Sequence, residues 1–451
     1  MTETAELESE VRTLLEQGDL DAAIEFLNNR HPAEVGGVID ELDGETAYAL
    51  FDQLDRRTQA RILPYMQPSH QLSMVQHLGR HAQARLLTDM NADERADLYQ
   101  ELPEDVQEAL MPALAKAERE DLLRLTSYPE GTVGSVMTSE YATVPAHISA
   151  RQAIERLRLQ ALNKETIYVA YVLDTERHLL GIVTLSGLVV ASPGESVEGL
   201  MQTEVVNVHT DAPSAEAARL IADYDLLAVP VVDDEDRMVG IVTHDDAMDV
   251  QEAEATQDTH NGASVGDLPG SLKETALTTL YQKRIMWLVL LVFANVFSGA
   301  SISLYEDTIQ AHVGLVFFLP LLIASAGNAG SQSATLMVRA IATGDVISRD
   351  WFRMLLREIG LGLMLGLTMA AAVAAIGLYR GGAELAHVVS LTMVIVVLSG
   401  SLIGMSLPFV LNKLNMDPAT ASAPVVSFIA DVAGILVYFG LASALLSIPA
   451  Q

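Results

Sequence analysis

The last third of the chain most limits what it can fold into. Uncharged stretches fall at Ile285–Leu304, Val313–Val338, Ile359–Tyr379 and Val388–Asn412, and a fifth, Pro418–Ala450, is interrupted by one charge, Asp431. Each can cross a hydrocarbon core of about 30 Å, which takes about 20 helical residues. Buried core helices of a soluble protein do not come five in succession at this length. The fold class is therefore multidomain, with an all-α transmembrane domain of five spans over 284–451 behind a long polar portion.

Basic residues give the orientation. If the polar portion is cytoplasmic, then Lys283, Arg284, Arg339, Arg349, Arg353, Arg357 and Lys413 all lie inside. Only Arg380 falls outside, with the acids Glu306, Asp307 and Glu384, which is a positive-inside pattern. The start, MTETAELESE, lacks the basic-then-apolar pattern of a signal peptide. The expectation is a multi-pass protein of the inner or plasma membrane, N-terminus cytoplasmic and C-terminus extracytoplasmic.

Formal net charge is -32, which disfavours nucleic acid and anionic lipid surfaces as partners and favours cations. Lysine is scarce while acids abound, a composition that suits a salt-adapted organism or a divalent-cation sensor. There are no cysteines, so disulfides and thiolate metal sites are excluded.

Over 1–130 short amphipathic helices recur, with apolar groups such as Val38, Ile39, Leu42 and Leu86, Leu87, Met90 at helical spacing. Breaks fall at His31-Pro32, Gln67-Pro68 and Leu102-Pro103, because the residue before proline is pushed out of the helical region. Stacked short helices predict an all-α superhelix. Over 131–250 the chain is duplicated. Tyr171-Val-Leu-Asp174 and Leu180-Gly-Ile-Val-Thr184 are echoed by Pro230-Val-Val-Asp233 and Val239-Gly-Ile-Val-Thr243, and Gly134-Ser-Val-Met137 loosely by Glu198-Gly-Leu-Met201. Helical runs at 149–161 and 213–224 precede each strand pair. This α/β repeat resembles a tandem CBS module. Many such modules hold a nucleotide ribose with an Asp three residues after the Thr. That position is Gly187 in the first repeat and Asp246 in the second, so ATP would find this contact in the second repeat alone, where the acid would equally serve a cation. Residues 251–283 form an acidic connecting helix and linker.

Asp431 is the residue most demanding of explanation. A carboxylate at mid-span costs about 2.5–3.5 kcal/mol on insertion scales, and no basic residue lies within the five spans to pair with it. It reads as an ion-binding site or a protonated structural acid. In a twofold dimer with the path on the axis, two such carboxylates would face each other. They would suit a hydrated divalent cation, since magnesium dehydrates reluctantly. The second span carries Asn328, Gly330, Ser331 and Gln332, and the fifth Ser427; small and polar residues this dense serve helix approach or line a hydrated path.

The order of helical superhelix, CBS pair, acidic connecting helix and five spans resembles the MgtE family of magnesium channels over essentially the full length. The run Gly327-Asn-Ala-Gly-Ser-Gln-Ser-Ala-Thr335, the pair Asp417-Pro418 and Asp431 in Ala-Asp-Val-Ala-Gly carry the resemblance. It implies a homodimer in the lipid bilayer, with the second and fifth spans lining the pore and Asp431 as the selectivity aspartate. Cytoplasmic magnesium would bind at Asp225, Asp246, Asp249, Glu254, Asp258 and Asp417 and close the pore. Two positions depart from the pattern: Ala423 stands where relatives often carry Asn, and Gln257 where an acid is common. Mg2+ would thus be both transported and regulatory.

Alternative readings are a secondary Mg2+ exchanger coupled to sodium or protons, a membrane enzyme regulated by CBS domains, and a CBS-regulated anion channel. The eleven scattered His offer no metal-rich motif and no nucleophile–base pair is evident, so the expectation is a protein that is not an enzyme. An intramembrane acid argues against anions.

Overall fold

The computed structural model describes residues 2–263, 265, 272, 275–414, 416–421 and 423–446. The chain divides into two compact units, Met1–Glu254 and Ala255–Gln451.

The first unit opens with ten α-helices, from Thr2–Glu16 to Lys116–Leu125. Their ends follow local chemistry. The carboxylates of Asp19, Asp43 and Asp55 accept the amide hydrogens of Ala22, Thr46 and Thr58 at 3.0, 3.1 and 3.2 Å, satisfying donors that a helix start leaves open. Pro32 and Pro68 open their helices where the missing N–H costs nothing, behind extended His31 and Gln67. Buried Val38, Ile39, Leu50, Phe51, Leu63 and Leu87 form a core that runs on into Val133, Val229 and Val242. The helical portion and the second repeat therefore share one apolar interior.

Each repeat makes a three-stranded sheet with a parallel and an antiparallel pair. Strands β1 (Tyr141–Thr143), β2 (Thr166–Leu173) and β3 (Leu179–Thr184) are matched by β4 (Val208–His209), β5 (Ala228–Val232) and β6 (Met238–Thr243). The helices Ala150–Gln160 and Ser214–Asp223 lie where the pattern predicts them. The repeated Gly-Ile-Val-Thr has a packing reason. Thr138, leading into the first repeat, bonds Ile241 of the second at 2.8 Å, while Gln202, leading into the second, bonds Ile182 of the first at 2.9 Å. A methyl on Gly240 or Gly181 would meet Met137 Sδ or the Gln202 carbonyl, each at 2.6 Å, so both crossings need a bare backbone.

The second unit holds five helices long and apolar enough to cross a membrane: Leu277–Ser303, Gly314–Ala342, Ser348–Arg380, Gly382–Lys413 and Ala423–Leu445. They are called the first to fifth spans. Gly382, at φ 76°, breaks the third from the fourth. Four helix starts differ from the uncharged stretches: the third begins at Ser348 ahead of Ile359, taking in Arg349, Arg353 and Arg357, and the fourth at Gly382 ahead of Val388. The first helix reaches back to Leu277 and so includes Lys283 and Arg284. The fifth begins at Ala423, because Pro418–Thr420 forms a 3₁₀ turn capped by Asp417, whose carboxylate accepts the Ala419 N–H at 2.8 Å.

The second span packs against the fourth and fifth around Phe318, Leu322, Met393, Val397 and Phe439, and Tyr438 Oη donates to the Leu315 carbonyl at 2.9 Å. Small residues permit the closest crossing. A methyl on Gly400 or Gly404 would collide with the carbonyl of Ala326 or Gly330 respectively. Gly404→Val is expected to destabilise this unit by about 1–3 kcal/mol through overpacking. The readout is a lowered unfolding temperature of the detergent-solubilised chain, and an unchanged temperature would contradict the crossing.

Candidate ion path and acidic sites

The fifth span presents Ser427 and Asp431, one helical turn apart, to Gly327 and Ser331 of the second span, also one turn apart. Ser331 Oγ lies 3.2 Å from Ser427 Oγ and 3.3 Å from the Ala423 carbonyl. A methyl added at Gly327 would sit 3.3 Å from Ser427 Oγ and 3.5 Å from Asp431 Oδ1. Gly327 thus leaves the carboxylate room that any side chain would fill. Among the described residues no hydrogen-bond donor or cation meets the Asp431 carboxylate.

Asn328 and Gln332 form the adjoining ridge of the second span and are exposed in the single chain. Ser331, Gln332 and Thr335 line an open groove beside them. Gly330 behaves differently from the lining role set for it in the sequence reading. It is buried, and a methyl there would lie 2.8 Å from the Gly400 carbonyl, so its position is one of helix packing.

At one end of this helix pair lies a second acidic group. Asn261 Nδ2 donates to Asp417 Oδ2 at 2.9 Å. Burial raises the Asp258 pKa above the usual carboxylate range, Asp417 adds repulsion, and Arg339 offsets part of it. A cavity of about 640 Å³ opens here between Asp258, Thr259, Arg339 and Ala421. The turn that places Asp417 is the one it caps, so this acid is both structural and chemically exposed.

A further acidic cluster lies in the first unit, and sequence reasoning names only one of its members, Asp246. Asp93 and Glu94, at the start of the helix Ala92–Glu101, face Glu140 and Glu165 of the first repeat and Asp245 and Asp246 that follow the second. Burial, with repulsion from Asp93, Glu165 and Asp246, pushes the Glu94 pKa to about 8. Burial, then repulsion from Asp93, Asp245 and Glu140, pushes Glu165 to about 7. Burial raises both Asp93 and Asp246; repulsion from Asp245 adds to it at Asp93, and repulsion from Asp93 and Asp245 at Asp246. Asp93 Oδ1 and Glu165 Oε2 are buried without hydrogen-bond partners. Such an arrangement is costly unless protons or a cation neutralise it. Acids at 93 and 94 read in sequence as ordinary complements to a helix N-terminus, and nothing local signals that distant carboxylates converge on them.

Asp246 also has a local task. Its carboxylate accepts the Thr243 hydroxyl and, at 3.3 Å, the Thr243 amide. With acids around it, the position offers poor surroundings for a polyphosphate. Asp249 is exposed and raised by partial burial and by Asp245 and Glu252. Asp225 is exposed at φ 50° in the turn before β5, a conformation that Asp tolerates. Glu254 is exposed on the connecting helix His244–Gly262. One further group, His209, Asp211 and Asp234, gathers ligand atoms within 4.8 Å. Its geometry is already closed by hydrogen bonds. His209 Nδ1 accepts the Asp211 amide at 3.3 Å, which leaves the proton on Nε2 to be donated to Asp234 at 3.1 Å.

The arrangement matches known proteins over nearly its whole length. Residues 319–441 match the MgtE model, described as a divalent cation transporter, 30–131 the MgtE intracellular N domain, and 133–194 and 197–253 the CBS domain. The magnesium transporter MgtE of Thermus thermophilus is 38% identical over 96% of this chain and 97% of its own length. The chain belongs to the MgtE family. The MgtE of Bacillus subtilis is 34% identical over 71% of each chain. Among solved structures, the cytosolic domain of the Mg2+ channel MgtE in complex with ATP is 35% identical with a TM-score of 0.52. It matches 54% of this chain and 99% of that one. The soluble part of a magnesium transporter is 28% identical, also at 0.52, over 56% and 99%. As an MgtE protein the chain is a multi-pass membrane protein with a helical N-terminal domain and a CBS pair.

Proposed function

We propose that this protein transports Mg2+, and that it does so as a channel formed by a twofold homodimer, with Asp431 of each chain binding the hydrated ion on the axis. The carrying observation is the polar face of the second span. Asn328 and Gln332 are exposed beside the Ser331–Ser427 contact and the unpartnered Asp431. Amides and a carboxylate against lipid are expensive, so such a face belongs at a water-filled path or a partner. The identity to MgtE transporters over nearly the full chain supports Mg2+ as the cargo. In this reading the N-terminus is cytoplasmic, and each ionic charge entering gains about 2.3 kcal/mol per 100 mV of inside-negative potential.

The acidic sites supply a gate. Unneutralised carboxylates at Asp93, Glu94, Glu165 and Asp246, and at Asp258 with Asp417, repel and favour the open form. Cytoplasmic Mg2+ relieves the repulsion and favours closure, with Asp225, Asp249 and Glu254 contributing in the dimer. The ion moves the equilibrium only by binding the closed form better, and a swing from 99:1 to 1:99 needs about 5.5 kcal/mol in total. ATP binding belongs to the related structure that contains it and is not needed for passive entry.

Inside-out patches from cells expressing the chain test the proposal. Unitary currents carried by Mg2+, suppressed as bath Mg2+ rises through the millimolar range, are the expected result. Electrically silent uptake that requires a sodium or proton gradient would replace the channel with the exchanger.

A further inference from the structure

Outside the ion path, the second unit has an almost wholly apolar cavity of about 340 Å³ between the first span and the ends of the fourth and fifth. Trp287, Leu291 and Ala294 line it from the first span, with Leu407 from the fourth and Phe428 from the fifth. Trp287 to Ala294 covers about 10 Å along the helix axis, which is the scale of an acyl-chain segment rather than of a compact solute. Just beyond the lining, one turn before Trp287, the first span turns basic. Lys283 and Arg284 lie four and three residues before Trp287, so the helical period sets them on the same face as the lining residues. Both are exposed, and among the described residues neither has an ion-pair partner. Thr420 is the polar residue of the lining, three residues before Ala423, where the fifth-span helix starts with its N-terminal dipole.

We infer that this groove binds one anionic phospholipid, its acyl chain between Trp287 and Phe428 and its phosphate at Lys283, Arg284 and Thr420. The chemistry of the two ends selects the occupant. An apolar slot within a membrane span admits a lipid tail, and two cations at the headgroup level favour an acidic head. The formal charge of -32 disfavours anionic lipid for the chain as a whole. Beyond about 10 Å, however, exposed charges are screened at ordinary ionic strength, so the local pair decides. The ordinary reading of Lys283 and Arg284 is that they only fix orientation, and that reading predicts no preference among lipids at Trp287. The inference requires the membrane placement of the spans and is independent of which ion is carried.

The sequence makes the test simple, because Trp287 and Trp351 are the two tryptophans and there are no cysteines. The full chain with Trp351→Phe is reconstituted in phosphatidylcholine vesicles containing phosphatidylglycerol, with bromine on the acyl chains of one lipid at a time. Brominated phosphatidylglycerol is expected to quench Trp287 as if enriched about tenfold over phosphatidylcholine. Lys283→Gln with Arg284→Gln, at exposed positions that should not disturb folding, should bring that ratio close to one. Ala294→Phe, which fills the groove, should reduce quenching by both lipids. Equal quenching by the two lipids in the starting protein overturns the site. Enrichment that survives Ala294→Phe in a protein of normal size-exclusion profile assigns it to diffuse surface charge instead. A spontaneous cross-link between protomers through Ala294→Cys would give the groove to a second copy, and would likewise end the lipid proposal.

Discussion

Asp431→Ala is expected to lower Mg2+ uptake at least about 100-fold while leaving assembly intact. The size follows from electrostatics. Even at an effective dielectric constant of 20, a unit charge about 4 Å from another interacts by about 4 kcal/mol, and the cation here carries two. The position is half-buried, and its neighbours are small: Gly327, Ser331 and Ser427. Truncation therefore removes a charge without opening a large void, so folding should tolerate it better than transport does. Asp431→Asn sharpens the experiment, because it keeps shape and hydrogen-bonding capacity and removes only the charge. Uptake is measured as rescue of an import-deficient strain and as Mg2+ flux into vesicles, with assembly followed by size exclusion. Normal rescue by both variants would remove Asp431 from the path. A normal alanine variant with a defective asparagine variant would point to a steric rather than a charge role.

How much of this was legible in the sequence depends on the range of each interaction. The five spans were readable because lipid imposes a composition on about 20 consecutive residues at a time, and Asp431 stood out against that composition. The CBS repeats were readable because Gly181 and Gly240 each meet a crossing backbone that no side chain would admit, which leaves the same Gly-Ile-Val-Thr in both. Errors arose where a residue's task is set by a distant partner. Gly330 sits in a run of polar residues and reads as one of them, yet its neighbour in space is Gly400, seventy residues on. The 3₁₀ turn after Asp417 escaped because an apolar window averages over it, whereas Pro418 and the Asp417 cap decide it. The acids at 93, 94, 140 and 165 could not be found at all. Each is ordinary in its own segment, and only the docking of the Ala92–Glu101 helix on the CBS pair makes them one cluster.

That cluster gives the second large effect, a closure that depends jointly on pH and Mg2+. Glu94 and Glu165 titrate near 8 and 7 in the docked arrangement, against about 4.3 when free in water. Between about pH 4 and pH 8 the docked form therefore holds more protons than a form in which the helix has separated from the repeats. Linkage fixes the sign. Stability of the docked form falls as pH rises through this window, and the loss is complete only above about pH 8. A divalent cation bound among the ionised carboxylates would restore that stability, and binding would release protons. Hydrogen exchange of the 92–101 helix in the full chain reads this directly. At pH 8, Mg2+ is expected to increase protection at least about tenfold over NaCl of equal ionic strength, and the gain should shrink towards pH 6 as protons take the place of the ion. Glu94→Gln should raise protection at pH 8 without Mg2+ and blunt the response to it, since the amide removes repulsion and a ligand together. A response to Mg2+ that sodium reproduces would reduce the cluster to general charge screening. A response equal at pH 6 and pH 8 would mean that the cation binds elsewhere, because no site built from these carboxylates could take it up without giving up protons.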